Sequence, residues 1–405
     1  MPYQPTVNFK LSDGRDLGSL GWITKEYLMS VYPQIAANMI TPELWIWGYN
    51  ASGRLGDNTE INRSTPVTTF AGGTDWKQVA GGNNHIAAIK TDGTLWTWGL
   101  NGSGQLGING TTTRCTPVTT FAGGTDWKQV SGGSVHIAAI KTDGTLWTWG
   151  LNGSGQLGIN GTTTRCTPVT TFAGGTDWKQ VACGSFHTVA IKTDGTLWTW
   201  GSNVYGQLGD NTTSNRLTPV TTFAGGTDWK QVACSNHTAA IKTDGTLWVW
   251  GRNNSGQLGI NEVFNTKCTP VTTFAGGTNW KQVACGRTHT AVIKTDGTLW
   301  TWGSNIYGEL GTNDTTQRST PVTTFAGGTN WKQVACGYVN YTSAIKTDGT
   351  LWTWGWNAYG QLGDNTAVNR SIPVTTFAGG TNWKQVASGF YHTAAIKTSD
   401  DLLGI

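Results

Sequence analysis

One tetrapeptide, Trp-Lys-Gln-Val, recurs at an almost constant interval along this chain of 405 residues and constrains its fold more than any other feature. Its tryptophan falls at Trp76, Trp127, Trp178, Trp229, Trp280, Trp331 and Trp383, five steps of 51 residues and one of 52. A second marker, Leu-Trp-x-Trp-Gly, opens its tryptophan pairs at Trp45, Trp96, Trp147, Trp198, Trp248, Trp300 and Trp352, so both markers count seven copies. A period of this length marks a repeat architecture. Each copy is one supersecondary unit that cannot bury its apolar face alone, and stacking on neighbours supplies the core.

Within a copy the segments are short, rich in β-branched and aromatic residues, and bounded by Gly, Asn, Asp and Pro, which is the pattern of strands and turns. The copy that opens at Trp178 reads as strands over 178–183, 187–192 and 197–201. Thr193-Asp194-Gly195-Thr196 joins the last two as a tight primed turn, because Asp-Gly tolerates the positive φ angles of that geometry. The Pro-Val-Thr-Thr-Phe run from Pro219 is the outer strand, where an edge position accommodates a missing amide donor. Four antiparallel strands per unit make a blade, and radial repetition hides the sheet edges, so the expected fold is all-β: a closed seven-bladed β-propeller. Trp198 and Trp200 stand two apart and share one strand face. Seven such pairs are expected between adjacent blades, each buried indole contributing roughly 1.5 to 3 kcal/mol. The chain enters the pattern at Leu44-Trp45-Ile46-Trp47-Gly48 and leaves it after Thr398, so the first copy lacks inner strands and the last lacks outer ones. Both ends are therefore expected to build one shared blade. Asp400 to Gly404, where another Leu-Trp-x-Trp-Gly is due, reads as a degraded strand.

Composition excludes several functions. Only 12% of residues are charged, and the formal charge of +4 comes mostly from one lysine after each repeated tryptophan, such as Lys77, and one before each turn, such as Lys90. Basic charge spread this way steers weakly toward nucleic acid, and no nucleic-acid partner is expected. The first twenty residues lack a basic segment followed by an apolar one, and nowhere do eighteen apolar residues run together, so neither a secretory signal nor membrane insertion is expected. Seven cysteines without a Cys-x-x-Cys pair argue against a disulfide framework or a structural zinc site.

The phrase from Val181 to Gly209, Val-Ala-Cys-Gly-x-x-His-Thr-x-Ala-Ile-Lys-Thr-Asp-Gly-Thr-Leu-Trp-Thr-Trp-Gly-x-Asn-x-x-Gly-Gln-Leu-Gly, resembles the repeat of the regulator of chromosome condensation family, over roughly residues 44 to 398. The resemblance implies a seven-bladed propeller. The best-known member is a guanine-nucleotide exchange factor that binds a small GTPase and nucleosomes through a protruding β-wedge and a basic tail. Here repeat lengths vary by one residue and residues 1 to 43 hold few basic side chains, so those activities are not carried over. In that extension Thr24 to Leu28 followed by Val31-Tyr32-Pro33 reads as a short helix stopped by proline. With Gly21-Trp22-Ile23 before it, the extension resembles the heads of propeller proteins of tailed bacteriophages, particularly those of marine cyanobacteria. That resemblance implies a docking or oligomerisation segment over 1–43, carried by Trp22, Tyr27, Leu28, Val31 and Tyr32, joined to a propeller over 44–405. It further implies virion proteins or a host-surface receptor as partners, self-association, and residence in the virion, with the host cytoplasm as the alternative.

Motifs for catalysis are weak. Gly102-Ser103-Gly104-Gln105-Leu106-Gly107 fits a dinucleotide-binding fingerprint, but no helix begins after it, so a turn is expected. Cys183, Cys234, Cys285 and Cys336 recur in four copies, with His187, His237 and His289 soon after, a set of soft ligands if they faced a central channel. The favoured reading is structural: a small buried site for the cysteines, since Gly82, Gly133 and Gly389 stand there in other copies, and histidines bonded to backbone within their own blade. The recurring Asp92, Asp143 and Asp194 are committed to turns, and no acid–base pair, metal or cofactor site is singled out. Where otherwise similar copies differ, a partner surface is expected, and aromatic side chains there suit an anchoring role. Tyr205, Tyr307, Tyr338, Tyr359, Phe390 and Tyr391 are the candidates. The expected function is a non-enzymatic structural or binding platform of a phage particle. An intracellular exchange-factor-like scaffold and a carbohydrate-binding propeller are the alternatives.

Overall fold

The computed structural model describes residues 42–398. The expected docking residues Trp22, Tyr27, Leu28, Val31 and Tyr32, their short helix and the strand remnant at 400–404 lie outside the described residues.

The second strand of each unit dictates the ring. In His187–Lys192 every residue but the last is buried. A strand apolar on both faces needs a covering layer on each side, as in sheets sandwiched between other elements. A unit flanked by identical units on both sides meets that demand only if the series closes. Seven four-stranded antiparallel sheets do so. Counted from Trp76, the third blade has an inner strand Trp178–Cys183, a second His187–Lys192, a third Leu197–Gly201 and an outer strand Arg216–Thr221.

Each joint uses the repeated residues in fixed roles. Trp178, Val181 and Trp200 pack on Ala138, Ile140 and Leu146 of the preceding blade. Trp178 sits edge-on to Trp198 and Trp200 at 6.3 and 6.2 Å. Trp200 is fully buried and its Nε1 donates to Gln156 O of the preceding blade at 3.0 Å, whereas Trp198 is half-buried and bonds Thr196 within its own blade. The expected inter-blade role thus falls mainly on the second tryptophan of each pair. The glutamine of Trp-Lys-Gln-Val is a stitch between inner strands: Gln180 donates to Val232 O and accepts from Val232 N, both at 3.2 Å. The same reciprocal pair joins Gln385 to Val79, across the joint where the ring closes.

The closing sheet runs in the order Arg63–Thr68, Pro42–Gly48, His392–Thr398, Trp383–Ser388. Pro42 pairs with Thr398 and successive residues follow to Gly48 with His392. One blade is therefore built from both ends of the described chain, as the repeat arithmetic requires.

Two local expectations change. Of Asp194-Gly195 only the glycine has a positive φ, +83°. Lys192 O accepts from Gly195 N, and Lys192 N donates to Thr196 O, both at 3.0 Å. The connection is a three-residue loop, a type I turn followed by a left-handed glycine, and not a primed turn. Asp194 accepts from the amide and hydroxyl of Thr196 at 2.9 and 2.7 Å, which holds this geometry. The outer strand starts at Arg216 and stops at Thr221, so Phe223 lies beyond it, 67% exposed.

Candidate functional site

Antiparallel order sorts the connections between the two ends of the ring. The Thr-Asp-Gly-Thr hairpins and the links from outer strand to next inner strand emerge at one end, the hairpin end. The inner-to-second and third-to-outer loops emerge at the other, the loop end, and there the copies diverge.

Divergent aromatic residues converge on one sector of the loop end. Trp356 and Tyr359, from the sixth blade, meet Tyr391 of the closing blade at 4.8 and 5.1 Å. Tyr49, following the closing blade's third strand, lies 4.4 Å from Tyr359 and 5.8 Å from Tyr391. Tyr307 of the fifth blade reaches Trp356 at 5.9 Å, and Phe390 links Tyr391 at 4.1 Å to Tyr338 at 5.2 Å. Tyr307, Tyr338, Tyr359, Phe390 and Tyr391 are thus brought together on three consecutive blades. Tyr205 is not among them: it stands on the third blade under the Arg252 guanidinium, 4.9 Å from its ring. The anchoring role calls for exposed rings, yet none of the six is freely exposed; each is half-buried. Tyr49 and Trp356, which the loop comparison passed over, complete the cluster.

Beneath Tyr49 lies Arg54, 3% exposed, its guanidinium 4.6 Å from the ring centroid. Five of the other copies have Gln105, Gln156, Gln207, Gln257 and Gln361 at this position, and the sixth has Glu309. Arg54 donates from Nε to Ala51 O at 2.9 Å and from Nη1 to Asn84 Oδ1 at 2.7 Å. Burial draws it down to about 10, so it stays charged at neutral pH. Burial also raises Tyr391, opposed by the nearby charges of Arg287 and Arg54.

Tyr338 has a second task. Its hydroxyl accepts from Ser185 Oγ at 2.9 Å, from the third blade, so the side chain reaches over the channel mouth. The Val339 insertion lengthens this loop by one residue relative to the Arg287-Thr288 loop of the fifth blade. Below lies an axial cavity of about 130 Å³ lined by Cys183, Cys234, Cys285 and Cys336, among glycines and serines. The thiols do face the channel, yet burial pushes Cys183 and Cys336 up to about 12 and holds Cys234 and Cys285 well above the ordinary thiol range. They are protonated and poorly nucleophilic. Among the described residues no cluster has the arrangement of a metal site. Residues level with them are Gly81, Gly132 and Ser388, one position before the glycines used in the sequence comparison.

The histidines differ from expectation: they bond a side chain of the next blade, not backbone of their own. His136 Nε2 meets Thr188 Oγ1 at 2.9 Å, and that hydroxyl donates to Gln156 O at 2.8 Å, so the imidazole is the donor. His187, His237 and His289 meet Thr238, Thr290 and Thr342 likewise. His85 and His392 face Ile137 and Ile86 in those places, and both ring nitrogens of each are buried without a partner. Burial draws His85, His136, His187, His237 and His289 down to about 3 and His392 well below its ordinary value. The Gly-x-Gly-x-x-Gly run is a turn, as expected. In the equivalent Gly206 to Gly209 segment, Gly209 has φ +69° and packs where a Cβ would strike the Trp250 indole of the next blade at 2.7 Å.

Comparison with known proteins matches residues 37–322 to the RCC1-like domain, and 331–361 and 348–396 to the regulator of chromosome condensation (RCC1) repeat. Ultraviolet-B receptor UVR8 of Arabidopsis thaliana is 33% identical over 336 residues, 82% of this chain and 64% of the relative. The X-linked retinitis pigmentosa GTPase regulator homolog of Caenorhabditis elegans is 30% identical over 356 residues, 76% of this chain and 25% of the relative. The chain thus spans less than two thirds of either relative. Human WBSCR16 superposes with a TM-score of 0.78 at 22% identity, covering 88% of this chain and 100% of that one. Yeast RCC1 (Prp20), seen bound to Kap60, superposes with a TM-score of 0.78 at 19% identity, covering 91% and 92%.

Proposed function

Since the chain belongs to the RCC1-like family, we propose that it is a non-catalytic protein-binding platform whose contact surface is the aromatic sector of the loop end. One observation carries this reading: in a chain of near-identical copies, Tyr49, Tyr307, Tyr338, Trp356, Tyr359, Phe390 and Tyr391 meet one another on three adjoining blades, while the other aromatic departures, Phe186, Tyr205 and Phe264, stand apart on the third and fourth. Drift in unconstrained loops has no reason to be local. Half-buried tyrosine and tryptophan beside arginine are the residues that dominate protein interfaces. Yeast RCC1, which shares this fold, is itself seen bound to another protein, Kap60.

A matched capture experiment tests the sector. Proteins retained from producing cells by the unaltered chain, by a Trp356→Ala, Tyr391→Ala double variant and by Tyr205→Ala are compared by quantitative mass spectrometry. A partner lost with the double variant and kept with Tyr205→Ala is the expected result; equal retention by all three sinks the reading. The finer assignment, a component of a phage particle docked through residues 1–43, draws its support from the leader alone. Absence of the protein from purified particles would end it.

A further inference from the structure

We propose that Arg54 is the anchor for a carboxylate on the partner, an acidic side chain carried next to an apolar or aromatic one in an extended segment. This deepens, and rests on, the reading of the loop-end sector as a protein-binding surface.

The repeat itself shows that a cation is not needed at this position for folding. Five blades complete the same loop with a neutral glutamine, whose Oε1 typically accepts from an amide two residues before it, as Gln105 does from Ser103 N at 2.8 Å. Replacing it by a guanidinium that is 3% exposed removes a charge from water, which is unfavourable unless an anion meets it. No such anion is present among the described residues. Both acceptors of Arg54 are neutral, and every ion pair formed there involves other cations. The remaining terminal nitrogen, Nη2, has no acceptor among the described residues.

The surroundings fix the chemistry of what would complete it. Ala51 O and Asn84 Oδ1 hold two edges of the guanidinium and Tyr49 covers its face, so the plane and the direction of the free edge are set in advance. Such preorganisation lowers the entropy lost on binding. One free edge suits a carboxylate; a phosphate dianion calls for more donors than are offered. Arg287, exposed and 5.6 Å from the Tyr338 ring, adds a second positive charge that is felt at Tyr391. A series of ring contacts, Tyr338, Phe390, Tyr391 and Tyr49, links the two cations, with Trp356 against Tyr391, a floor for apolar groups flanking the acid. A neutral sugar would use the rings and leave the charge unmet; an acidic, partly apolar peptide uses both.

The test selects a displayed library of random dodecapeptides against the full chain, Arg54→Gln, Arg54→Lys, and the Trp356→Ala, Tyr391→Ala double variant. Peptides enriched on the unaltered chain should carry Asp or Glu beside an aromatic or aliphatic residue. Synthetic copies, measured by fluorescence anisotropy, should bind at least tenfold more weakly to Arg54→Gln, and equally so when the acid is replaced by its amide, with Arg54→Lys in between. Thermal melts of each variant confirm that it is folded. Enrichment without an acidic preference, or unchanged binding to Arg54→Gln, overturns the carboxylate anchor and leaves the platform standing. Failure of the unaltered chain to enrich any peptide over the double variant brings down the platform as well.

Discussion

The two ends of the ring are made from the same seven copies and could hardly differ more. At the hairpin end nearly every position repeats: Phe70, Phe121, Phe172, Phe223, Phe274, Phe325 and Phe377 are all 63 to 67% exposed. There each turn lysine lies over the tryptophans of its own blade, as Lys192 does at 4.9 and 5.2 Å from Trp178 and Trp198. At the loop end no two adjoining blades from the fifth to the closing one are alike, and beneath the surface lie the Arg54 guanidinium, bonded only to neutral acceptors, and the partnerless imidazoles of His85 and His392. Uniformity marks what the fold requires; divergence marks what it leaves free. The blade joints are therefore interchangeable, while the loop-end sector is specific to its place in the ring.

Acidification should strike the loop end first and hardest. An unfolded histidine takes a proton near pH 6.5, whereas the buried ones hold out until about pH 3. The unfolded state then binds more protons, so stability falls as pH drops below about 6.5, by about 1.4 kcal/mol per pH unit for each histidine. Far-ultraviolet circular dichroism should show cooperative loss of structure between about pH 6 and 4; a signal unchanged at pH 4 would break the account of neutral buried imidazoles. Next in size, Trp200→Ala should cost about 3 to 5 kcal/mol in urea unfolding, and Trp302→Ala the same within about 1 kcal/mol. Unequal costs would show that the joints are not interchangeable.

Smaller effects sharpen the contrast. Thr188→Val removes the acceptor of His136 and should cost about 1 to 3 kcal/mol by leaving buried groups unpaired. Arg54→Gln, which restores the residue of five sister copies, should instead raise the unfolding midpoint, by about 1 to 2 kcal/mol of relieved desolvation. The least change is expected at the hairpin end. Four blades pair the turn lysine with an aspartate, as Lys192 with Asp177 at 3.2 Å, whereas the fifth carries Asn279 beside Lys294. Asn279→Asp should move stability by no more than about 0.5 kcal/mol, because that aspartate position is well exposed to solvent.

The hairpin end was almost wholly legible in the sequence, since its strands, turns and blade count depend on spacing that repeats within 51 residues. Even so, Asp-Gly is compatible with two turn geometries, and the choice rests on hydrogen bonds from Thr196 that a dipeptide rule ignores. At the loop end the sequence marked Tyr307, Tyr338, Tyr359, Phe390 and Tyr391 as variable, but their meeting depends on the closure that sets Tyr49 against Tyr359 and Tyr391, residues more than 300 positions away. Arg54 carries a readable signal, a cation among glutamines, that lies outside the aromatic pattern. The partners of the histidines are not legible within one copy, because their hydroxyls sit one blade further on.

The clasp between Pro42–Gly48 and His392–Thr398 also sets a timetable. A ribosome adds about 5 to 20 residues per second, so the 350 residues separating Gly48 from Thr398 take on the order of 20 to 70 seconds to appear. Throughout that interval Leu44, Ile46 and Trp47 have been made but lack the strand that will cover them. Each nascent chain thus waits with an apolar strand paired to Arg63–Thr68 on one side and open on the other, the kind of edge that recruits strands from other molecules. Prematurely terminated products would keep that edge for good, which makes them candidates for chaperone capture and for clumping during synthesis.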